Sequence, residues 1–208
     1  MPDVKTFYED VWAELPEDPK PWAWERRRAL LLADVRPGER VLDLGCGAGR
    51  FVAALRDAGA DPVGVELADG ALERARRNVE GADLRALGAD GAIPLEDASV
   101  DLVWCSEVLE HVPDTAALLS EARRVLRTGG RLLATTPSHD LPRRALIALG
   151  RFDAHFDPLG QHVRFYSRRS LARVLDTFAF EDVRIDAIGG PPGLRETLVA
   201  RARKARLV

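Results

Sequence analysis

The 208-residue chain has only two cysteines, one methionine and no long apolar run. Cys46 and Cys105 are too few for a disulfide framework or a four-ligand zinc site, so we expect two buried free thiols. The absence of an apolar stretch of about 18 residues excludes a membrane-spanning helix. The acidic N-terminus lacks the apolar segment of a secretory signal, and we therefore expect a cytoplasmic protein.

The chain also lacks a strong excess of charge of either sign. It carries 30 Lys and Arg residues against 33 Asp and Glu residues, and 46% of its residues are hydrophobic. This composition excludes a disordered chain, and the length corresponds to a single domain. The basic residues are scattered along the chain, which disfavours a nucleic-acid partner. Nothing in the composition indicates an oligomeric state.

Apolar and amphipathic segments alternate in a pattern typical of an α/β fold. Apolar strands without polar alternation are buried on both faces, as in a parallel sheet. We predict helices at 22–35, 49–58, 70–79 and 115–126, and strands at 41–44, 62–67, 84–89, 100–105 and 131–135. Ser167 is a predicted cap for a further helix. Strands at 183–188 and 197–202, around a turn at 189–193, are predicted to pair antiparallel at one edge of the sheet.

Two further segments complete the predicted single domain over 1–208. Residues 1–36 are interpreted as an N-terminal lid helix, because the aromatic rings of Tyr8, Trp12, Trp22 and Trp24 could cover a ligand. Packing of this helix on the sheet is an equally good alternative. Residues 137–166 are too long and irregular for a simple connection. We therefore interpret them as a substrate-region insertion.

The strongest local signal is an apolar strand that runs into a glycine-rich turn and then into a helix. Gly45, Gly47 and Gly49 allow a sharp turn, and N–H groups at the helix start are expected to be free for a polar or negative ligand group. The spacing is G-x-G-x-G, and Arg50 stands where a dinucleotide fingerprint has its third glycine. The turn therefore departs from the NAD pattern.

An acidic residue completes this pattern. Glu66 ends the next predicted strand, 21 residues after Gly45, where a carboxylate can accept hydrogen bonds from ribose hydroxyls. A ribose at this point implies a cofactor that contains adenosine.

These residues resemble the class I S-adenosylmethionine-dependent methyltransferases, in particular their type 11 branch, over roughly residues 22–202. The first motif of that family is similar to Asp43-Leu44-Gly45-Cys46-Gly47-Ala48-Gly49. Its fourth strand and the following turn are similar to residues 101–112, and its fifth-strand entry is similar to residues 126–133. The resemblance implies a Rossmann-like three-layer α/β sandwich. It also implies a seven-stranded, mostly parallel sheet whose last strand is antiparallel.

The resemblance further implies S-adenosyl-L-methionine as the cofactor. Glu66 would bind the ribose, Leu67 would lie against the adenine, and Asp90 would face the adenine amino group. The segment after the fourth strand would lie beside the transferable methyl. The complete set of implied cofactor-binding residues is Asp43, Gly45, Cys46, Gly47, Glu66, Leu67, Asp90, Gly91, Ser106, Glu107 and His111.

Glu107, Glu110 and His111 are spaced so that a helix would place all three on one face. Such a group can hold a divalent cation, and the resemblance to quinone-biosynthesis O-methyltransferases, which carry a similar run, supports that option. The alternative is a hydrogen-bonded helix start with His111 packed against the cofactor. We favour the alternative and predict no metal.

The predicted reaction is methyl transfer to a small-molecule acceptor, with oxygen favoured over nitrogen or carbon. An acceptor hydroxyl needs a general base, and the candidates are His111, His139 and His162. The alternatives are an RNA or protein methyltransferase, and a module that binds S-adenosylmethionine without catalysis. An NAD-dependent oxidoreductase is least favoured, because Arg50 is present and a Tyr-x-x-x-Lys motif is absent.

Overall fold

The computed structural model describes residues 4–88, 90–150, 152–157, 160–191 and 194–205. The described residues form a seven-stranded sheet with the order β3-β2-β1-β4-β5-β7-β6. This confirms the predicted α/β fold with a mostly parallel sheet and an antiparallel last strand. By contacts between Cα atoms the chain divides into two compact units. The first extends to Trp104 and includes Arg124–Arg127, and the second comprises Cys105–Arg123 and the chain from Thr128 onward.

The first unit contains the helices and strands of the glycine motif. Strands β1 and β2 pair in parallel, and β2 pairs in parallel with β3. Residues 62–65 of β2 are all buried, which requires cover on both faces of the sheet. The elements are α1 (Val4–Glu14), α2 (Trp24–Asp34), β1 (Arg40–Leu44), α3 (Arg50–Asp57), β2 (Asp61–Glu66), α4 (Asp69–Asn78), β3 (Asp83–Ala86) and most of β4 (Val100–Ser106).

The second unit holds the antiparallel part of the sheet. Strand β7 pairs antiparallel with both β5 and β6, and a register shift interrupts the β6 ladder between Glu181 and Arg184. Ser167 caps α8 in a capping box with Ser170, as predicted. The elements are most of α5 (Thr115–Val125), most of β5 (Leu126–Pro137), α6 (Leu141–Gly150), α7 (Phe152–His155), α8 (Arg168–Thr177), β6 (Phe180–Ile188) and β7 (Thr197–Lys204).

The structure differs from the sequence prediction in three segments. The N-terminal segment forms two helices, because the prolines at positions 16, 19 and 21 interrupt helical hydrogen bonding between them. The segment 137–166, predicted to be irregular, contains α6 and α7. Residues 107–114 form turns and not the helix considered for Glu107, Glu110 and His111. Within the described residues, no helix has the length and apolar character needed to cross a membrane.

Candidate functional site

The glycine-rich turn is closed by its own backbone hydrogen bonds. The N–H groups of Gly45 and Cys46 both donate to the carbonyl of Val65, at 2.8 and 3.1 Å, and the N–H of Gly49 donates to the carbonyl of Cys46 at 2.9 Å. The free N–H groups expected from the sequence belong to the start of α3, which begins at Arg50, and they stay a prediction. The N–H groups of Gly45, Cys46 and Gly49 are already paired within the protein, so these three are not available to a bound phosphate.

The Glu66 carboxylate occupies the end of β2 and is held by three backbone donors. Oε2 accepts from the N–H of Gly47 at 2.9 Å, and Oε1 accepts from the N–H groups of Leu67 at 2.7 Å and Ala68 at 3.1 Å. Burial raises the pKa of Glu66, the three donors lower it, and the nearby Glu9 raises it. The carboxylate predicted to bind ribose is thus fixed in orientation next to the glycine turn.

The Cys46 side chain lies in the core and not at a ligand surface. It packs with Val52, Leu72 and Val79, and a Cβ on Gly64 would lie 2.9 Å from its Sγ atom. Burial raises the pKa of the Cys46 thiol well above its usual value. Cys105 is also buried, so both cysteines are free thiols as predicted. Any contact of Cys46 with a cofactor is left to its backbone.

Asp43 is a buried carboxyl group at the end of β1, and 1% of it is exposed. The pKa of Asp43 is raised to about 8, mainly by burial and also by the nearby Glu66, while Arg27 opposes the shift. Within the described part of the chain, Oδ2 of Asp43 has no hydrogen-bond partner. A buried acceptor without a partner costs about 1–3 kcal/mol. A cationic or hydrogen-bond-donating ligand group would remove this cost.

Helix α1 is anchored on the N-terminal end of α4. The Glu9 carboxylate accepts hydrogen bonds from the N–H groups of Asp69 and Gly70, the latter at 3.0 Å, and Lys5 pairs with Asp69 at 2.7 Å. A carboxylate is favourable at a helix N-terminus, since the backbone N–H groups there are otherwise unpaired. These contacts hold α1 close to Glu66 and the glycine turn.

The Trp12 ring of α1 covers Gly47. A Cβ atom built on Gly47 would lie 2.9 Å from two ring carbons of Trp12, and Gly47 has a φ angle of +51°. We expect Gly47→Ala to destabilise the fold by about 1–3 kcal/mol, through left-handed strain and the steric clash together. Gly38→Ala is the matched control, because Gly38 has a φ of +80° and nothing within 4 Å of its Cβ position.

Urea unfolding of both variants, alone and with Trp12→Ala, measures the clash. Trp12→Ala should recover part of the loss in Gly47→Ala and none of the loss in Gly38→Ala. Equal losses in the two glycine variants would contradict the contact between Trp12 and Gly47.

Asp90 and Gly91 form an exposed turn in the first unit. Oδ1 of Asp90 accepts a hydrogen bond from the N–H of Ala92 at 3.1 Å, and the N–H of Gly91 donates to Gly88 at 2.8 Å. Gly91 has a φ of +81°, which explains the glycine. The turn accounts for both residues locally, and the adenine contact of Asp90 stays a prediction. Ala89 lies outside the described residues.

In the second unit, the turn after β4 is fixed to the end of β5. Thr135 Oγ1 donates to the Glu107 carboxylate at 2.8 Å, so the Ser106 hydroxyl, 2.9 Å from the same oxygen, must donate to Thr135. The N–H of Glu107 donates to the Thr135 carbonyl at 2.9 Å. Glu107 has a φ of +54°, a strained conformation that is frequent at functional sites. Hydrogen bonds to Thr135 therefore fix the positions of both Ser106 and Glu107.

The buried Glu110 is held in a similar way by the next residue of β5. Thr136 Oγ1 donates to Oε2 of Glu110 at 3.0 Å, and the backbone carbonyl of Glu110 accepts from Val163 and Arg164 at 2.8 and 3.0 Å. Sequence reasoning missed Thr135 and Thr136. The sequence pattern that indicates them is a pair of residues with hydroxyl groups at the end of an apolar strand.

Glu110, His111 and His162 offer ligand atoms that lie within 4.8 Å of one another. The group differs from the trio considered from the sequence, because the turn directs Glu107 to Thr135 and His162 takes its place. Nδ1 of His111 lies 3.1 Å from the Gln161 carbonyl, and the rings of His111 and His162 meet edge to face at 4.9 Å. Two of the predicted base candidates thus lie together.

His139, the third predicted base candidate, is paired with His155. The two Nε2 atoms lie 2.8 Å apart, and Nδ1 of His139 lies 3.2 Å from the Pro137 carbonyl. His139 is 3% exposed, whereas His155 is partly exposed. Aromatic rings surround the pair, with Phe165 5.1 Å from the His139 ring and Phe156 5.0 Å from the His155 ring.

All four histidines are in the second unit, and each has a lowered pKa because burial disfavours the imidazolium. The pKa is about 4 for His111 and for His139. For His139 the cation is further disfavoured by His155, Arg143 and His162, and favoured by the Pro137 carbonyl. The histidines are consequently neutral at pH 7.

These pKa values predict a loss of stability in acid. The unfolded chain takes up the His139 proton near pH 6.5 and the folded chain only near pH 4, so the free energy of unfolding falls between these values. His139 should contribute about 3 kcal/mol to this fall when fully titrated. Urea unfolding from pH 7 to 4 should therefore show a shallower decline for His139→Gln than for the unmodified chain. Asp43, whose pKa is raised in the folded chain, has the opposite effect on the free energy of unfolding, but this effect is the same in both proteins. If the free energy of unfolding falls equally with pH in both proteins, His139 does not have the lowered pKa.

Comparison with known proteins identifies the family. A model of the methyltransferase domain matches residues 18–185. A ubiquinone biosynthesis O-methyltransferase of Idiomarina loihiensis is 32% identical over 158 residues, which are 73% of this chain and 65% of that enzyme. The enzyme of the same name from Burkholderia pseudomallei is 31% identical over 163 residues, 75% of this chain and 70% of the relative. This chain thus spans less than two thirds of the Idiomarina enzyme.

Solved structures agree in fold. A Haloferax volcanii methyltransferase, solved in complex with the activator Trm112, has a TM-score of 0.74 at 21% identity, with 96% of this chain and 98% of that chain covered. An S-adenosylmethionine-dependent methyltransferase from Archaeoglobus fulgidus has a TM-score of 0.71 at 18% identity, with 97% and 100% covered. Together with the glycine turn, Asp43 and Glu66, these findings show that the chain belongs to the class I S-adenosylmethionine-dependent methyltransferases.

Proposed function

We propose that this protein transfers a methyl group from S-adenosylmethionine to a hydroxyl oxygen of a small molecule. The observation that carries the proposal is a group of four neutral histidines among aromatic rings in the second unit. A neutral imidazole can take the proton of a hydroxyl group. The O-methyltransferase relatives favour oxygen as the acceptor atom.

The residues of the first unit fit the cofactor. When bound, S-adenosylmethionine supplies an electrophilic methyl group on a positively charged sulfur, and it also carries an ammonium group. Oδ2 of Asp43, which has no hydrogen-bond partner among the described residues, would accept from the ammonium, and Glu66 would accept from the ribose hydroxyls. The N–H groups of Gly45, Cys46 and Gly49 are paired within the protein and are not available to a phosphate. S-adenosylmethionine has no phosphate group and does not need them.

The remaining residues of the chain would orient the reactants and exclude water. Helix α1 would act as a cover over the cofactor, with Trp12 against Gly47 and Glu9 on the start of α4. Holding the acceptor oxygen in line with the methyl group can contribute up to about 7–11 kcal/mol to the lowering of the barrier. Ser106 and Glu107, ordered by Thr135, would line the methyl-transfer region.

Two measurements test the proposal. Thermal unfolding with S-adenosylmethionine, S-adenosylhomocysteine or NAD at about 100 times the dissociation constant should show about 2.7 kcal/mol of stabilisation, or roughly 5–10 °C, for the first two ligands only. Release of S-adenosylhomocysteine is then followed with 3,4-dihydroxybenzoate, benzylamine, total RNA or a protein extract as acceptor. We expect turnover with the hydroxylated compound.

Each other outcome selects a different function. Turnover with RNA or protein alone would replace the small-molecule acceptor by a macromolecule, and turnover with benzylamine alone would replace oxygen by nitrogen. Cofactor binding without turnover on any acceptor would favour a non-catalytic binding module. A larger shift with NAD would overturn the proposal.

A further inference from the structure

The hydrogen positions in the pair of His139 and His155 follow from their neighbours. Nδ1 of His139 lies 3.2 Å from the Pro137 carbonyl, which can only accept, so Nδ1 carries the hydrogen. Nε2 of neutral His139 then carries a lone pair. Nε2 of His155, 2.8 Å away, must be the donor. His155 is consequently the Nε2–H tautomer, and its basic atom is Nδ1.

The two histidines therefore have different chemical capacities. Both nitrogens of His139 are engaged and its side chain is buried, so it cannot take a proton from a bound molecule while the pair is intact. His155 is partly exposed, and no donor from the described residues lies within hydrogen-bonding distance of its Nδ1. The accessible base of the pair is His155, which is absent from the candidates predicted from the sequence.

We propose that His155 accepts the proton of the acceptor hydroxyl and that buried His139 positions it. This inference rests on the proposed O-methyl transfer. The acceptor O–H bond breaks as Nδ1 of His155 takes the proton, and the oxygen lone pair forms the new bond to the methyl carbon. The bond from that carbon to sulfur breaks and leaves its electron pair on sulfur, which gives S-adenosylhomocysteine. His155 then returns its proton to water.

The pair needs no rearrangement during this step. His155 donates from Nε2 to His139 in both protonation states, and the hydrogen bond becomes charge-assisted once Nδ1 is protonated. A base oriented by a third group is the usual arrangement in such sites. The positive charge of Arg143 on α6 lowers the pKa of both histidines, and His155 lowers the pKa of His162. Arg143→Ala should therefore raise the pH at which the rate falls in acid.

The first test determines the tautomers without any acceptor. Long-range ¹H–¹⁵N NMR of the full chain, treated with a chelator and assigned with single histidine variants, should show Nδ1–H for His139 and Nε2–H for His155. His139→Gln should keep the His155 tautomer, because the amide oxygen of glutamine can replace the acceptor. His139→Leu should lose it. An Nδ1–H tautomer at His155 in the unmodified chain would overturn the inference.

The second test measures the catalytic role with 3,4-dihydroxybenzoate as acceptor. His155→Ala should lower kcat about 100- to 10,000-fold, leave the Kd for S-adenosylmethionine unchanged and respond to added imidazole. It should also lose the decline of rate in acid. His139→Leu should lower kcat about 10- to 100-fold without changing that Kd, and His139→Gln should retain most of the rate.

The outcomes separate the inference from the proposed function. An active unmodified chain with an unchanged kcat in His155→Ala overturns the base assignment alone. An unmodified chain that binds the cofactor and methylates no acceptor overturns the proposed function, while the NMR measurement still decides the structure of the pair. Tight Zn²⁺ binding that His155→Ala abolishes would identify the pair as metal ligands and overturn the inference.

Discussion

Glu66→Gln is expected to weaken S-adenosylmethionine binding by about 100-fold or more. A hydrogen bond to a charged group contributes about 1.5–3 kcal/mol, and this carboxylate is the proposed partner of two ribose hydroxyls. Its orientation is fixed beforehand by the N–H groups of Gly47, Leu67 and Ala68. Glutamine retains one acceptor oxygen but presents an NH₂ group in place of the other. Isothermal titration calorimetry measures the change in Kd.

The matched control is Glu73→Gln, the same substitution at an exposed position of α4. It should leave the Kd unchanged. Thermal unfolding of both variants without ligand shows whether Glu66→Gln weakens binding through loss of the fold. A folded Glu66→Gln protein with an unaltered Kd would remove Glu66 from the cofactor site.

Cofactor binding is expected to tighten about tenfold from pH 6 to pH 7, less steeply from pH 7 to pH 8, and to level off above pH 8. The buried Asp43 carboxyl has a pKa of about 8, so it is mostly protonated at pH 7 before ligand binds. A positively charged ligand favours the ionised form, and binding therefore releases a proton. The affinity rises with pH until Asp43 is already ionised in the free protein. Calorimetry in buffers of different ionisation enthalpy counts the protons released.

Asp43→Asn should remove this pH dependence, because its side chain does not titrate. Asp57→Asn, at an exposed position of α3, should retain it. S-adenosylhomocysteine carries the same ammonium group and should therefore show a similar slope. An affinity for S-adenosylmethionine that is the same from pH 6 to pH 8 would show that Asp43 does not face the charged part of the cofactor.

The parts of this protein that follow from sequence are those with a local cause. Buried strands such as Val100–Ser106 are recognisable because their residues are apolar on both faces, and Ser167 is recognisable as a helix cap. The spacing of the glycines, together with Glu66, indicates the methyltransferase family. Helices α6 and α7 were missed, because the apolar residues of 141–152 are largely exposed and give no periodic buried face.

The details of the candidate site depend on contacts between distant residues. The spacing of Glu107, Glu110 and His111 suggested a common helix face, but the hydroxyl groups of Thr135 and Thr136 hold the two carboxylates in a turn. His139 and His155 are 16 positions apart in the sequence, because His139 precedes α6 and His155 is the last residue of α7. No local pattern encodes that contact, so the sequence could name His139 as a base without showing that its lone pair is occupied.

The self-contained hydrogen bonding of the glycine turn has a kinetic consequence. Because the N–H groups of Gly45, Cys46 and Gly49 are satisfied within the protein, the entropy of ordering these residues is lost during folding and not during each encounter with ligand. The turn can therefore receive and release ligand without a slow ordering step. If access to it is gated, the gate is α1, whose side-chain contacts through Lys5, Glu9 and Trp12 can break while the turn stays intact.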